Sequence, residues 1–266
     1  MTGARGHAPV RSRRQSGRRQ TGFSLIELMI ALSIGLFLVA GLGMILFGVR
    51  DTYKAQDGLL RMQEGQRYLL TSLNNSVQTA GYFINPASDS ILNALPATPS
   101  NPNPDGSSFV AGQGIVGTTG SSSDTLNTRY QSANNDAMNC LGRTNPSQVP
   151  VVWINSYAVN ANSELVCNVT TIDATGAVSS GDVVLVDKIA SMKVLYGVGA
   201  NGDGQTSRYV TSNQVTAPIT WQDVVSVKVT LVQIDQVNVT PSMPNPQELV
   251  HVINLLNNSG KRPGSP

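Results

Sequence analysis

The sequence predicts an α+β protein, in which one long N-terminal helix, membrane-spanning in its first half and amphipathic in its second, packs on a mostly antiparallel β-sheet head. Three observations predict it. An apolar run from Phe23 to Val49 carries a single charge, Glu27. Apolar residues then recur at helical spacing as far as Ala80. From Phe109 onward, short segments rich in β-branched and aromatic residues alternate with turn formers.

The 266 residues suffice for one membrane segment and one globular domain of ordinary size. Overall there are 18 basic and 16 acidic residues, but the distribution is uneven. Arg5, Arg11, Arg13, Arg14, Arg18 and Arg19 precede the apolar run with no acid among them, a basic leader over 1–22. Without it the chain has 12 basic against 16 acidic residues, a mildly acidic balance that gives no support to a nucleic-acid partner. The run over 23–49 is long enough to cross a bilayer at about 1.5 Å per residue. The arginines hold their end on the cytoplasmic side, so the chain beyond the run is exported. A secretory signal has its small-residue cleavage site after the apolar core. Here the small residue, Gly22, comes before it, and a cut there removes the basic leader while keeping the helix.

The stretch "GFSLIELMIALSIGLFL" resembles the type IV prepilin N-terminal motif, with Ser24 where Thr is commonest. The resemblance implies a type IV pilin-like fold, cleavage by a prepilin peptidase between Gly22 and Phe23, and N-methylation of Phe23. It also gives Glu27 a purpose. An unpaired acid in the bilayer costs roughly 2.5–3.5 kcal/mol. In pilin-like assemblies Glu27 is expected to pair with the Phe23 amine of a neighbouring subunit. Other axial offsets would leave both charges unpaired, so the pair fixes register.

Beyond the membrane half, residues 50–81 read as an amphipathic continuation. Leu59, Met62, Gln66, Leu69, Leu73, Val77 and Ala80 draw one stripe, with Asp57, Arg61, Glu64, Arg67 and Asn74 opposite. Gly81 is the expected stop. Gly35, Gly41, Gly43 and Gly48 soften the first half, each by roughly 1 kcal/mol relative to Ala. Residues 82–108, containing Pro86, Pro96, Pro99, Pro102 and Pro104, read as a loop or linker without helix. The head, 109–256, offers "DTLNTRY", "VVWINSYAV", "ELVCNVTTI", "GDVVLVDKIASMKVLYGV", "WQDVVSVKVTLVQI" and "QELVHVINLLN", six strands of one sheet laid over the helix. Residues 257–266 read as a flexible tail.

In this order behind a prepilin N-terminus, those blocks resemble the PilW family of type IV pilus assembly proteins. The resemblance implies a minor pilin that helps prime or complete assembly. Its partners would be the prepilin peptidase, other minor pilins, the major pilin and the inner-membrane assembly platform. It would sit in the inner membrane with a cytoplasmic N-terminus and a periplasmic head, and in the fibre afterwards. Two other roles stay open on the same residues: a type II secretion pseudopilin, and an adhesive or DNA-capturing minor pilin at the tip. For the last, the scattered Arg129, Arg143, Lys188, Lys193, Arg208 and Lys228 show no basic stripe.

Cys140 and Cys167 both lie in the exported part, where one disulfide is the default and two buried thiols the alternative. In "GANGDGQTSR", Asn201, Asp203 and Gln205 alternate as calcium ligands would. A single carboxylate and no closing acid make that loop a poor site, and a glycine-rich hairpin turn has the same appearance. No cofactor is expected and an enzyme is not. His7 leaves with the leader, His251 lies in an apolar strand-like segment, and no GxSxG, Walker A or paired-carboxylate motif occurs. Asp182, Asp187 and Asp223 read as turn residues and strand-edge solubilisers.

Overall fold

Why the first half of the helix forms is a matter of backbone self-sufficiency: in an apolar run, only intrahelical bonds can satisfy the peptide groups. In the computed structural model, which describes residues 22–98, 103–173, 176–199, 204–234 and 247–257, helix α1 runs from Leu25 to Thr79. Residues 1–21 of the leader and the tail beyond residue 257 lie outside the described residues. The chain divides into two units between Lys54 and Ala55.

The first unit is helix. The Leu28 N–H donates to the Ser24 carbonyl, which closes the first turn. Ser33 Oγ bonds back to the Met29 carbonyl at 2.6 Å and Thr52 Oγ1 to that of Gly48 at 2.9 Å. The Ser33 and Thr52 hydroxyls are thus satisfied within the helix. The large apolar side chains from Phe23 to Val49 are exposed.

The second unit is the remainder of α1 and the head. Leu69, Leu73, Val77 and Ala80 are fully buried, and each of the two leucines contributes about 1.5–3 kcal/mol of burial. Gln66, the polar member of the stripe, donates to Gln233 Oε1 at 2.6 Å. Asn74 departs from its expected place on the solvent side: it is half-buried and accepts from His251 Nε2 at 3.0 Å. The helix ends at Thr79, and Gly81 takes φ +78° beyond it, as a left-handed stop requires. The Gly81 N–H donates to the Arg129 carbonyl at 2.8 Å. A Cβ on Gly114 would lie 2.4 Å from the Gly81 nitrogen, so the helix end docks where only glycine fits.

The head differs from the expected single sheet of six strands. Among the described residues it has nine strands in two antiparallel sheets. The first is β1 (Ile115–Val116), β2 (Leu126–Ser132), β3 (Val151–Val159), β4 (Leu165–Asp173) and β5 (Gly176–Val186), paired in chain order. The second is β6 (Ile189–Val198), β7 (Arg208–Val210), β8 (Val224–Gln233) and β9 (Gln247–Asn254), ordered β7-β6-β8-β9. The block 181–198 splits, because the chain reverses at Asp187 and Lys188, the latter at φ +59°, and its two halves join different sheets. "WQD" is not strand but a 3-10 turn, Trp221–Asp223, in which Asp223 Oδ2 accepts from the Thr220 N–H at 2.8 Å.

One apolar core holds the α1 stripe and the inner faces of both sheets, with Tyr130, Trp153, Tyr157, Cys167, Met192, Val227 and Ile253 among its members. Three polar side chains join helix to sheet: Ser76 Oγ bonds Tyr157 Oη and accepts from Asn155 Nδ2 at 2.8 Å.

The proline-rich segment also corrects its reading. Ser90 caps a one-turn helix, α2 (Ile91–Ala94), with its side chain accepting from the Asn93 N–H. Leu95 and Phe109 are buried, the Thr98 N–H donates to the Phe109 carbonyl at 2.9 Å, and the Gly112 N–H to that of Leu95 at 2.8 Å. Prolines exclude long helix but not a single capped turn, and they do not prevent a loop from packing. The segment is part of the head.

Candidate processing and assembly site

Gly22 and Phe23 precede the helix in non-helical backbone, with Glu27 in its first turn. Phe23 is 85% exposed. The carboxylate of Glu27 lies at the end of the helix where unsatisfied N–H groups carry partial positive charge, the favourable end for an acid. Its neighbours on the surface are apolar: Ile26, Leu28, Met29 and Ile30 are all more than half exposed. The helix is long and apolar enough to cross a membrane. A carboxylate in such a surface is chemically a receptor for one cation, and a chain cleaved at Gly22 would carry a cation at Phe23.

In the head, the two cysteines are joined: Cys140, after β2, and Cys167, in β4, form a disulfide. Both are buried. Of the calcium candidates, Asn201 and Asp203 lie outside the described residues, and Gln205 is exposed. Among the described residues no group of three or more His, Cys, Asp or Glu side chains stands together. His251 is engaged with Asn74 on α1, so it joins helix to sheet. Tyr157 is pushed up to about 12 by burial and acts as a neutral hydroxyl at ordinary pH. Asp182 is exposed on β5, the edge strand, and Asp187 is exposed at the β5–β6 reversal.

Arg129 is the residue that sequence reasoning misplaced. Grouped by sequence with the scattered surface cations, it is in fact fully buried in β2. Its Nε donates to the Gln113 carbonyl at 2.8 Å, Nη1 to Pro96 at 2.6 Å, and Nη2 to Val110 at 2.8 Å and Leu95 at 3.2 Å. The guanidinium also lies 4.7 Å from the centre of the Phe109 ring. Burial pulls its pKa down to about 10, so it remains charged at neutral pH. It thereby ties the proline-rich segment to the outer face of the first sheet. An arginine inside an otherwise neutral strand, "LNTRYQS", was the available signal.

Two family patterns match the chain. The prokaryotic N-terminal methylation motif covers residues 17–43, which include Gly22, Phe23 and Glu27. Type IV Pilus-assembly protein W covers residues 151–251, the span from β3 into β9. Among curated proteins nothing matches.

Proposed function

Because the chain is a PilW-family pilin, acting in type IV pilus assembly as a minor pilin, we propose that its route into the filament is set by the Phe23 amine and the Glu27 carboxylate. A prepilin peptidase cuts after Gly22, releases the basic leader and methylates the new amine of Phe23. The amine remains a cation, because a secondary amine is still basic.

That cation sits at the positive end of its own helix dipole, an unfavourable place. A carboxylate on an adjacent helix relieves it, and Glu27 is suitably placed as the single charge of the apolar run from Phe23 to Val49. The observation that carries this reading is Glu27 as the lone charge in the exposed apolar run, four residues past Phe23. Before assembly the helix holds the protein in the inner membrane, with the arginine-rich end cytoplasmic and the head periplasmic. The disulfide between Cys140 and Cys167 agrees with an oxidising compartment for the head. Other minor pilins and the major pilin are the subunits it joins, on the inner-membrane assembly platform.

The test is Glu27→Ala in the producing cell, followed by membrane fractionation and analysis of sheared pili. The variant should insert at least as well as the parent, since an acid has been removed from the apolar run, and should be absent from the pili. Normal incorporation of the variant would overturn the proposal. So would membrane-extracted protein that retains residues 1–22 by mass.

A further inference from the structure

On its outer face, away from α1, the first sheet carries a transverse row of polar side chains. Asn127 in β2 is opposite Ser156 in β3, Ser156 is opposite Asn168 in β4, and Asn168 is opposite Asp182 in β5. Directly paired residues share a face of the sheet. Tyr157, the neighbour of Ser156, points the other way, to Ser76 on the helix. The row lines a cleft of about 200 Å³, closed on one side by Pro104 and Asp105.

The two ends of the cleft are acidic and differ in how they are held. Asp105 is saturated. Its Oδ1 accepts from the Ser107 N–H at 3.0 Å and the Ser107 hydroxyl at 2.7 Å, and its Oδ2 from Asn127 Nδ2 at 2.8 Å and from the Thr125 hydroxyl. Burial raises its carboxyl, but these bonds together outweigh that and keep it below the usual carboxylate range, so it is ionised. Asp182, by contrast, is exposed and its carboxylate makes no ion pair or hydrogen bond among the described residues. Between the ends, Ser156 is only 6% exposed and its hydroxyl oxygen, fully enclosed, has no partner among the described residues. A buried, unpaired hydroxyl in the wall of a cleft is a cost the fold carries without internal return.

We propose that this cleft receives the side chain of an arginine presented by a partner polypeptide. Its guanidinium would face Asp182 and Ser156, and its methylenes would lie along Ala158 and Val166. Acceptors converge there with net negative charge and no cation among the described lining residues, which selects a ligand rich in N–H donors. A divalent metal fits poorly: Asp105 has no oxygen lone pair to spare, and a single free carboxylate falls far short of the oxygen set calcium takes. The apolar wall accommodates the stem of a long basic side chain, and the volume suits one such side chain. Binding of this kind is independent of cleavage at Gly22.

The test uses the full chain in detergent and, as probe, arginine blocked at both ends (N-acetyl-arginine methylamide), followed by saturation-transfer NMR. Saturable transfer to the arginine methylenes is expected. Affinity should fall about tenfold in Asp182→Asn, the scale of one charge-assisted hydrogen bond, and likewise for the blocked citrulline probe, which is neutral and nearly isosteric. Asp187→Asn, outside the cleft at the β5–β6 reversal, should leave binding unchanged. A melting curve for each variant establishes that it is folded. Overturning results are equal binding of the citrulline probe, no loss in Asp182→Asn, or an equal loss in Asp187→Asn. Saturable binding of glucose in place of arginine would overturn it too, as would free arginine binding more tightly than the blocked form, the signature of an amino-acid site.

Discussion

Replacing Arg129 with methionine tests the idea that one buried cation fixes the proline-rich segment to the sheet. Methionine keeps much of the volume and the apolar stem but removes all four donated bonds. The four carbonyls are not equal losers. Leu95 still accepts from the Gly112 N–H and Val110 from that of Gln113. Pro96 and Gln113 have Arg129 as the partner of their carbonyls. Gln113 is buried, so its orphaned carbonyl costs about 1–3 kcal/mol, whereas Pro96 is exposed and its carbonyl can turn to water. Against this stands the desolvation penalty of the guanidinium, which disappears with the charge. The expected net loss is about 1–3 kcal/mol, which for a head of this size lowers the melting temperature by roughly 2–12 °C. Thermal unfolding followed by circular dichroism reads the total. Hydrogen exchange localises it: protection should fall over residues 95–113 well before it falls in β6 and β8. Arg129→Lys, which keeps charge but loses the planar fork, should lie between the two. An Arg129→Met protein that melts with or above the parent would mean that desolvation dominates, and the clamp would be refuted.

Asp105 makes stability depend on pH. Its folded-state pKa is depressed, so its contribution is complete above the ordinary carboxylate value near 3.8 and disappears as pH falls through the lower folded value. Asp105→Asn should cost roughly 1–2 kcal/mol at neutral pH, and the parent and variant denaturation midpoints should converge as the pH is taken below the ordinary carboxylate value near 3.8; curves that stay parallel through acid denaturation would contradict the assignment. Opening the disulfide by Cys140→Ala with Cys167→Ala should destabilise the head by roughly 3–4 kcal/mol on the loop-entropy scale. Denaturant unfolding of the oxidised parent against the double variant measures it, and equal midpoints would show the link to be energetically idle.

How much of the molecule is legible in its sequence depends on how local each signal is. The stripe Leu69, Leu73, Val77 and Ala80 and its glycine stop can be read because a helix repeats every 3.6 residues whatever it packs against. The motif around Gly22, Phe23 and Glu27 is a contiguous run, so its letters suffice to recognise it. Strand segments are visible from β-branched residues, but sheet membership is not. Nothing in "GDVVLVDKIASMKVLYGV" announces that the chain turns at Lys188 into a second sheet, since pairing partners lie far along the chain.

The same reason governs the side chains. Sequence by itself determined the two halves of the helix, the place of the lone acid in its apolar run, and the β grammar of the head, each a property of neighbouring residues. The tertiary structure alone decided that Arg129 is buried rather than exposed, that Asn74 meets His251, and that Asn127, Ser156, Asn168 and Asp182 stand in one row. Those outcomes depend on strands and loops separated by tens of residues being brought together, and burial and electrostatics act on that proximity in space, which a linear order of residues does not contain.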